Sequence, residues 1–333
     1  MYKAYSCPSV SSALELVEKD SPDLGHHDVE IDVMYCGICH SDVSMIDNAW
    51  GMSQYPLVAG HEVVGKISRV GDHVKHLSVG QHVGLGWHSD YCLTCHSCYS
   101  GDHNLCQSAE GTIVGRDGGF AEKVVANAAS VIAIPDGVDL KSAGPLFCGG
   151  ITVFNPLVQF GVKPLDKVAV IGIGGLGHMA VQFLNAWGCE VTAFTSSDDK
   201  RQEALEFGAT HTINSRNPSE IEAAAGTFDY VISTVNVSLD WGLYINTLKA
   251  KGRLHFVGAP LEPIEVQVFS LLPQQRSISS SPVGAPATIT DMLEFAKQHN
   301  IQPLVEMYKF DDINTALDRI RSGKARYRVV LER

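Results

Sequence analysis

The chain has 333 residues, a length that favours two domains over a single core. It is 45% hydrophobic and 19% charged, within the range of ordinary globular proteins. A net charge of −12 with no compensating basic run argues against nucleic acid and anionic membrane surfaces as partners.

The first twenty residues, MYKAYSCPSVSSALELVEKD, hold no apolar stretch of signal-peptide length. No uncharged apolar run is long enough to cross a bilayer. The expected compartment is the cytoplasm, where most of the nine cysteines stay reduced. Clustered cysteines then read as metal ligands ahead of disulfides.

No internal repeat or low-complexity tract is present. Val29, Ile31, Val33 and Tyr35 alternate with polar neighbours and predict a half-buried strand. VVGKISRVG (63–71) and VGQHVGLG (79–86) predict further short strands separated by glycine turns. A polar loop follows, with Cys92, Cys95, Cys98 and Cys106 in a C-x2-C-x2-C-x7-C pattern. Four thiolates complete a tetrahedral Zn²⁺ shell and leave no open position, so this cluster predicts a structural zinc. Its spacing differs from the common iron–sulfur runs, and no thioredoxin-like strand and helix surround it.

After about residue 148 the pattern becomes α/β. Residues 165–198 read as an apolar strand, a glycine turn, an amphipathic helix and a second apolar strand. Residues 228–235 and 252–259 predict two more buried strands, and 239–251 between them has helical character. This alternation predicts a doubly wound parallel sheet. The turn Gly172-Ile173-Gly174-Gly175-Leu176-Gly177 sits between the first strand and its helix, the context that makes G-x-G-x-x-G a dinucleotide fingerprint. Its glycines let the backbone close on a pyrophosphate at the helix N-terminus.

The second strand ends in Thr195, Ser196 and Ser197, where an NAD site usually carries an acid. These hydroxyls, with Lys200 or Arg201, suit a 2′-phosphate, so NADP(H) is expected over NAD(H). In the alternative the hydroxyls only cap a helix, and Asp198 and Asp199 turn to the ribose. At the end of the chain, Ile313, Ala316, Leu317 and Ile320 line one face of a predicted helix over 311–323, followed by a strand over 325–332. Neither element extends a βαβ series, which suggests a return to the first domain.

GICHSD (37–42), GHE (60–62) and FCGG (147–150) each hold a potential metal ligand. From residue types alone, two cysteines and a histidine suffice for a Cys₂His shell with one open position.

Taken together, GICHSD, AGHEVVG, the four-cysteine loop, FCGGITVF, GIGGLGH and KARYRVV resemble the zinc-containing medium-chain alcohol dehydrogenases. Within that family the chain is most similar to the cinnamyl-alcohol-dehydrogenase-like branch and its bacterial NADPH-dependent broad-range aldehyde reductases. The resemblance implies a GroES-like, mainly β catalytic domain (1–148 and 287–333) with a zinc lobe near 88–110. A Rossmann domain (149–286) would be inserted in it. It implies two zinc ions per chain, the catalytic one held by Cys39, His61 and Cys148 with Glu62 as an alternate ligand. The family ligand directly precedes His-Ser-Asp, which selects Cys39 over Cys36. Asp42 would fix the tautomer of His61. Ser41 matches the family's relay hydroxyl, and Ser44 stands where many relatives carry a relay histidine. His40 and Arg326 match pyrophosphate contacts, Thr152 a nicotinamide contact, and Trp50 and Trp87 the pocket wall. The implied reaction is reduction of an aldehyde to a primary alcohol with NADPH, by a homodimer. Residues 252–260 or 266–284 would supply the dimer edge. Two other readings are a polyol dehydrogenase, which the cysteine of FCGG disfavours, and a non-catalytic NADP-binding zinc protein.

Overall fold

The computed structural model describes all residues 1–333. By internal contacts the chain divides into Met1–Ile151 with Val283–Arg333, and Thr152–Pro282.

In the first unit, β1 (Tyr2–Ser6) and β2 (Glu15–Lys19) form an antiparallel pair. The organising strand is β3 (Asp28–Ile38). It pairs antiparallel with β4 (Glu62–Val70), and β5 (His82–Leu85) continues the sheet from β4. The short strands β6 (His88–Asp90) and β7 (Glu110–Gly111) pair with each other at the two ends of the cysteine loop. Next, β8 (Lys123–Asn127) pairs with β3, and β9 (Val131–Ala133) pairs with β5.

Val29, Ile31 and Val33 are buried as the alternation predicts, but Glu30 is buried too. Its carboxylate accepts hydrogen bonds from Lys123 Nζ at 2.7 Å and Ser68 Oγ at 2.8 Å, so the polar face of β3 is covered at this position. Burial opposes ionisation of Glu30, but Lys123 and Ser68 outweigh it and hold the carboxyl below its usual range.

The second unit is a six-stranded parallel sheet. Its strands are β10 (Lys167–Ile171), β11 (Glu190–Thr195), β12 (His211–Asn214), β13 (Phe228–Ser233), β14 (Leu248–Phe256) and β15 (Ser277–Ser280). Their order across the sheet is β12-β11-β10-β13-β14-β15, the doubly wound order of a Rossmann fold. The helix Gly177–Trp187 joins β10 to β11 and ends at Gly188, whose φ of 99° requires glycine. The helical character expected over 239–251 extends only through Trp241–Asn246. Leu248 already pairs with Phe228 on β13, and Lys251 adopts φ 64°, so sheet pairing overrides the helical pattern there.

The chain then returns to the first unit. The helix Pro286–His299 leads to β16 (Val305–Lys309), the helix Ile313–Arg321 and β17 (Arg328–Glu332). Ile313, Ala316 and Leu317 join the core that also contains Val29, Ile31 and Val329. Strand β17 lies parallel to β16 and antiparallel to β3, completing the order β16-β17-β3-β4-β5-β9.

Candidate active site and metal centres

Four donors from separated segments converge in the first unit. One ligand atom from each of Cys39, His61, Glu62 and Cys148 lies within 4.8 Å of the others, and all four residues are buried. Cys39 immediately precedes the helix His40–Ile46. His61 and Glu62 stand at the start of β4, and Cys148 follows a 3₁₀ turn over Gly144–Phe147.

Asp42 ties these segments together. Its Oδ2 accepts the Cys39 N–H at 2.8 Å and so caps the helix. Its Oδ1 accepts the Gly60 N–H at 2.9 Å and contacts His61 Nδ1 at 2.8 Å. A proton on Nδ1 leaves the Nε2 lone pair pointed at the cysteines. Cys36, the other half of the C-x-x-C, stays outside the set: its thiol donates to the Gly37 carbonyl at 3.6 Å.

The donor spacing fits zinc. A tetrahedral ion with Zn–S near 2.3 Å has S–S edges of about 3.8 Å. Cys39 Sγ and Cys148 Sγ are 3.9 Å apart, and His61 Nε2 is 3.2 Å from Cys148 Sγ. The hydrogen bond to Cys148 pulls Cys39 well below its ordinary value, and the same contact pushes Cys148 up. Burial pushes Glu62 up to about 7, against the pull of Arg328. Glu62 Oε2 is buried with no hydrogen-bond partner, an orphaned acceptor that a cation would satisfy.

Arg328, on β17, was not singled out in the sequence. It is buried and forms an ion pair with Glu62 Oε1. Its sequence signal is the KARYRVV step (324–330), from which the resemblance drew Arg326 instead. Arg326, two residues earlier, is exposed, and its backbone N–H bonds Glu306 at 2.9 Å. Gly37 pairs with Glu62 across the ladder, and a Cβ there would overlap Glu62 Oε2. Glycine is therefore required for Glu62 to lie where it does.

Around the donors, Ser41 Oγ lies 3.7 Å from Cys39 Sγ, His40 is exposed and Ser44 is buried. Trp87 packs edge-on against the His61 ring at 5.2 Å, and Trp50 packs edge-on against Trp87 at 6.0 Å.

The second cluster holds Cys92, Cys95, Cys98 and Cys106, again within 4.8 Å of one another. Their sulfur separations of 3.5, 3.6 and 4.0 Å bracket the same tetrahedral edge. The Thr94 backbone N–H, with Cys106, draws Cys92 down to about 6, which favours a thiolate. Tyr91 packs on Cys98 and Cys106.

In the second unit, the glycine turn follows β10. Gly172 adopts φ 87°, which only glycine takes without strain. A Cβ on Gly177 would overlap the Gly172 carbonyl, so this glycine permits close helix–strand packing. A Cβ on Gly174 meets nothing within 4 Å, leaving open space beside the backbone for a pyrophosphate. Gly175 and Leu176 complete the turn, and Leu176 is the helix N-cap. Thr195 is buried at the end of β11, and Thr152 is buried as well. Ser197 caps the helix Asp198–Glu206 by accepting the Lys200 N–H at 3.3 Å. Arg201 is ion-paired with Glu220 at 3.0 Å. Ser196 and Lys200 are exposed, and neither side chain is held by a partner.

A GroES-like sheet carrying a Cys₂His donor set, with a Rossmann unit in the same chain, defines the zinc-dependent medium-chain dehydrogenase class. Residues 25–136 match the alcohol dehydrogenase GroES-like domain family, and residues 175–298 match the zinc-binding dehydrogenase family. The chain is 60% identical over 331 residues to aldehyde reductase AdhA of Synechocystis sp., covering 99% of this chain and 98% of that one. A solved cinnamyl alcohol dehydrogenase from Sorghum bicolor superposes with a TM-score of 0.95 at 35% identity, covering 99% and 97% of the two chains. The Helicobacter pylori cinnamyl alcohol dehydrogenase solved with NADP(H) gives 0.91 at 31% identity and the same coverage. The chain belongs to the zinc-binding alcohol dehydrogenases, in their cinnamyl-alcohol-dehydrogenase-like branch. No helix is long and apolar enough to cross a membrane.

Proposed function

We propose that this protein reduces aldehydes to primary alcohols with NADPH and runs the reverse reaction as an alcohol dehydrogenase. The observation that carries this reading is the convergence of Cys39, His61 and Cys148 at zinc-ligand spacing. These three would hold the catalytic zinc, with Glu62 as an alternate ligand. Cys92, Cys95, Cys98 and Cys106 would hold a structural zinc whose closed shell fastens the loop between β6 and β7. Zinc supplies Lewis-acid polarisation of a carbonyl oxygen, and NADPH supplies a hydride.

The chain's own residues do the rest. Asp42 fixes the His61 tautomer. The Ser41 hydroxyl, beside Cys39, is the proton donor for the product oxygen, with His40 next to it in sequence. Ser44 offers no imidazole to extend that relay. Trp87 and Trp50 form an apolar wall near His61, suited to an apolar or aromatic aldehyde.

For the cofactor, the glycine turn takes the pyrophosphate, and the family resemblance is what adds His40 and Arg326 as further contacts and Thr152 toward the nicotinamide. Ser196 and Lys200 are the groups available to a 2′-phosphate, with Thr195 and Ser197 at its margin. The similarity to an enzyme solved with NADP(H) supports that choice. Arg201 is engaged by Glu220 and contributes less than its position suggests.

The domain reading is a catalytic domain of 1–148 and 287–333 around a cofactor domain of 149–286, in a cytoplasmic homodimer. Of the two segments expected to supply a dimer edge, 266–284 contains the edge strand β15, whereas β14 is internal. Leu261, Val268, Phe269 and Leu272, in the chain between β14 and β15, are 65–84% exposed, apolar side chains suited to cover by a second copy. Sedimentation equilibrium reads this directly, and a monomer at micromolar concentration contradicts it.

The zinc assignment is tested by Cys39→Ala. Zinc content should fall from two to one per chain and turnover should fall to near zero, with NADPH binding retained. Retained activity would show that Cys39 is not a ligand.

A further inference from the structure

A third cluster of metal-binding side chains lies at an outer corner of the first unit and shares no residue with the two cysteine sites. One ligand atom from each of His26, Asp72 and His73 lies within 4.8 Å of the others. We propose that His26, Asp72 and His73, with His27 beside them, form a site for a divalent transition-metal ion.

Several features make this more than a chance meeting of surface side chains. The loop ahead of β3 and the loop after β4 are locked together by backbone hydrogen bonds. His73 N–H donates to the His26 carbonyl at 2.9 Å, and Gly71 N–H to the Asp28 carbonyl at 2.8 Å. A Cβ on Gly71 would overlap the Gly25 and His26 carbonyl oxygens, so glycine lets the loops touch. The His26 and His73 rings stack with centroids 5.0 Å apart, and His27 packs edge-on against His73 at 4.9 Å.

The donor chemistry is also specific. Asp72 Oδ1 lies 2.7 Å from His26 Nδ1, the carboxylate–histidine pairing that leaves the other ring nitrogen free to coordinate. His27 Nε2 lies within hydrogen-bond distance of His73 Nδ1 at 3.3 Å and so orients the His73 ring from outside the three-residue cluster. Imidazole-rich sites with one carboxylate select Zn²⁺, Ni²⁺, Co²⁺ or Cu²⁺ over Ca²⁺ and Mg²⁺, which require oxygen ligands. The side chains of His26 and Asp72 are 73% and 67% exposed, so the ion exchanges with solvent and is lost on desalting before either cysteine-bound zinc.

The test uses tag-free, zinc-loaded, desalted protein titrated with Ni²⁺ by calorimetry, with retained zinc measured by atomic emission. One Ni²⁺ per chain should bind without loss of zinc or of aldehyde turnover. The double variant His26→Ala/His73→Ala should bind Ni²⁺ at least tenfold more weakly with zinc content and turnover unchanged, and His27→Ala should weaken it several-fold. Absence of Ni²⁺ uptake, equal uptake by the double variant, or uptake matched by zinc release would overturn the proposal.

Discussion

Asp42 shows how much of the site rests on a single side chain. It is fully buried, caps a helix, bonds the Gly60 backbone and orients His61. Asp42→Asn keeps the volume but offers one acceptor oxygen where the carboxylate offers two. It also removes the negative charge that offsets the burial of His61 and favours its charged form. Zinc affinity at the Cys39 site should fall about 10- to 100-fold, while the four-cysteine zinc stays bound. Competition with a chromophoric chelator reads both sites, and unchanged affinity would show that Asp42 serves the helix alone. Arg328 is the residue that sequence reasoning did not find. Its sequence surroundings mark a strand, and only pairing of β17 beside β3 brings it to Glu62, hundreds of residues away in the chain. The four donors that converge with it sit in short steps such as GICHSD and GHE, which residue types alone left as candidates and which the family resemblance joined into one set.

At the level of elements, local signals succeeded where structure is local. The glycine turn between β10 and its helix could be read because each glycine answers a backbone demand: Gly172 a positive φ, Gly177 a close approach. Helical character over 239–251 was misleading because the parallel ladder with β13 captures Leu248 onward. The end of β11 shows the remaining ambiguity. Ser197 is a helix cap, as the alternative reading holds, while Ser196 is left exposed. Ser196→Asp places a carboxylate where a 2′-phosphate would lie. It should lower the ratio of kcat/KM for NADPH to that for NADH by about 10- to 100-fold, which is about 1.4–2.8 kcal/mol of discrimination. An unchanged ratio would mean that Ser196 does not face the ribose.

On the scale of the whole molecule, each unit has its own acid sensitivity. In the second unit, His255 is buried between β14 and its neighbours, with its ring nitrogens bonded to Ser279 at 2.9 Å and Ser281 at 3.0 Å. Burial, with Arg253 nearby, lowers its pKa from 6.5 to about 4. Burial lowers His88 in the first unit to about 4 as well. An unfolded histidine takes its proton near pH 6.5, and the folded one refuses it until about 4. Their contribution to stability is therefore complete above pH 6.5 and is lost as pH falls through 4. Urea unfolding at fixed zinc should show stability falling on the order of 1–3 kcal/mol per histidine across that window. His255→Gln should flatten the slope, and an identical slope would exclude His255 as its source.

The central claim is zinc-assisted aldehyde reduction with NADPH, and initial rates on zinc-replete protein test it most directly. Benzaldehyde and a medium-chain aliphatic aldehyde would each be offered with NADPH and with NADH. Rapid NADPH oxidation with little use of NADH is the expected result. Rapid NADH oxidation would overturn the 2′-phosphate reading while leaving the zinc chemistry in place. Turnover with neither cofactor on either aldehyde would contradict the claim itself.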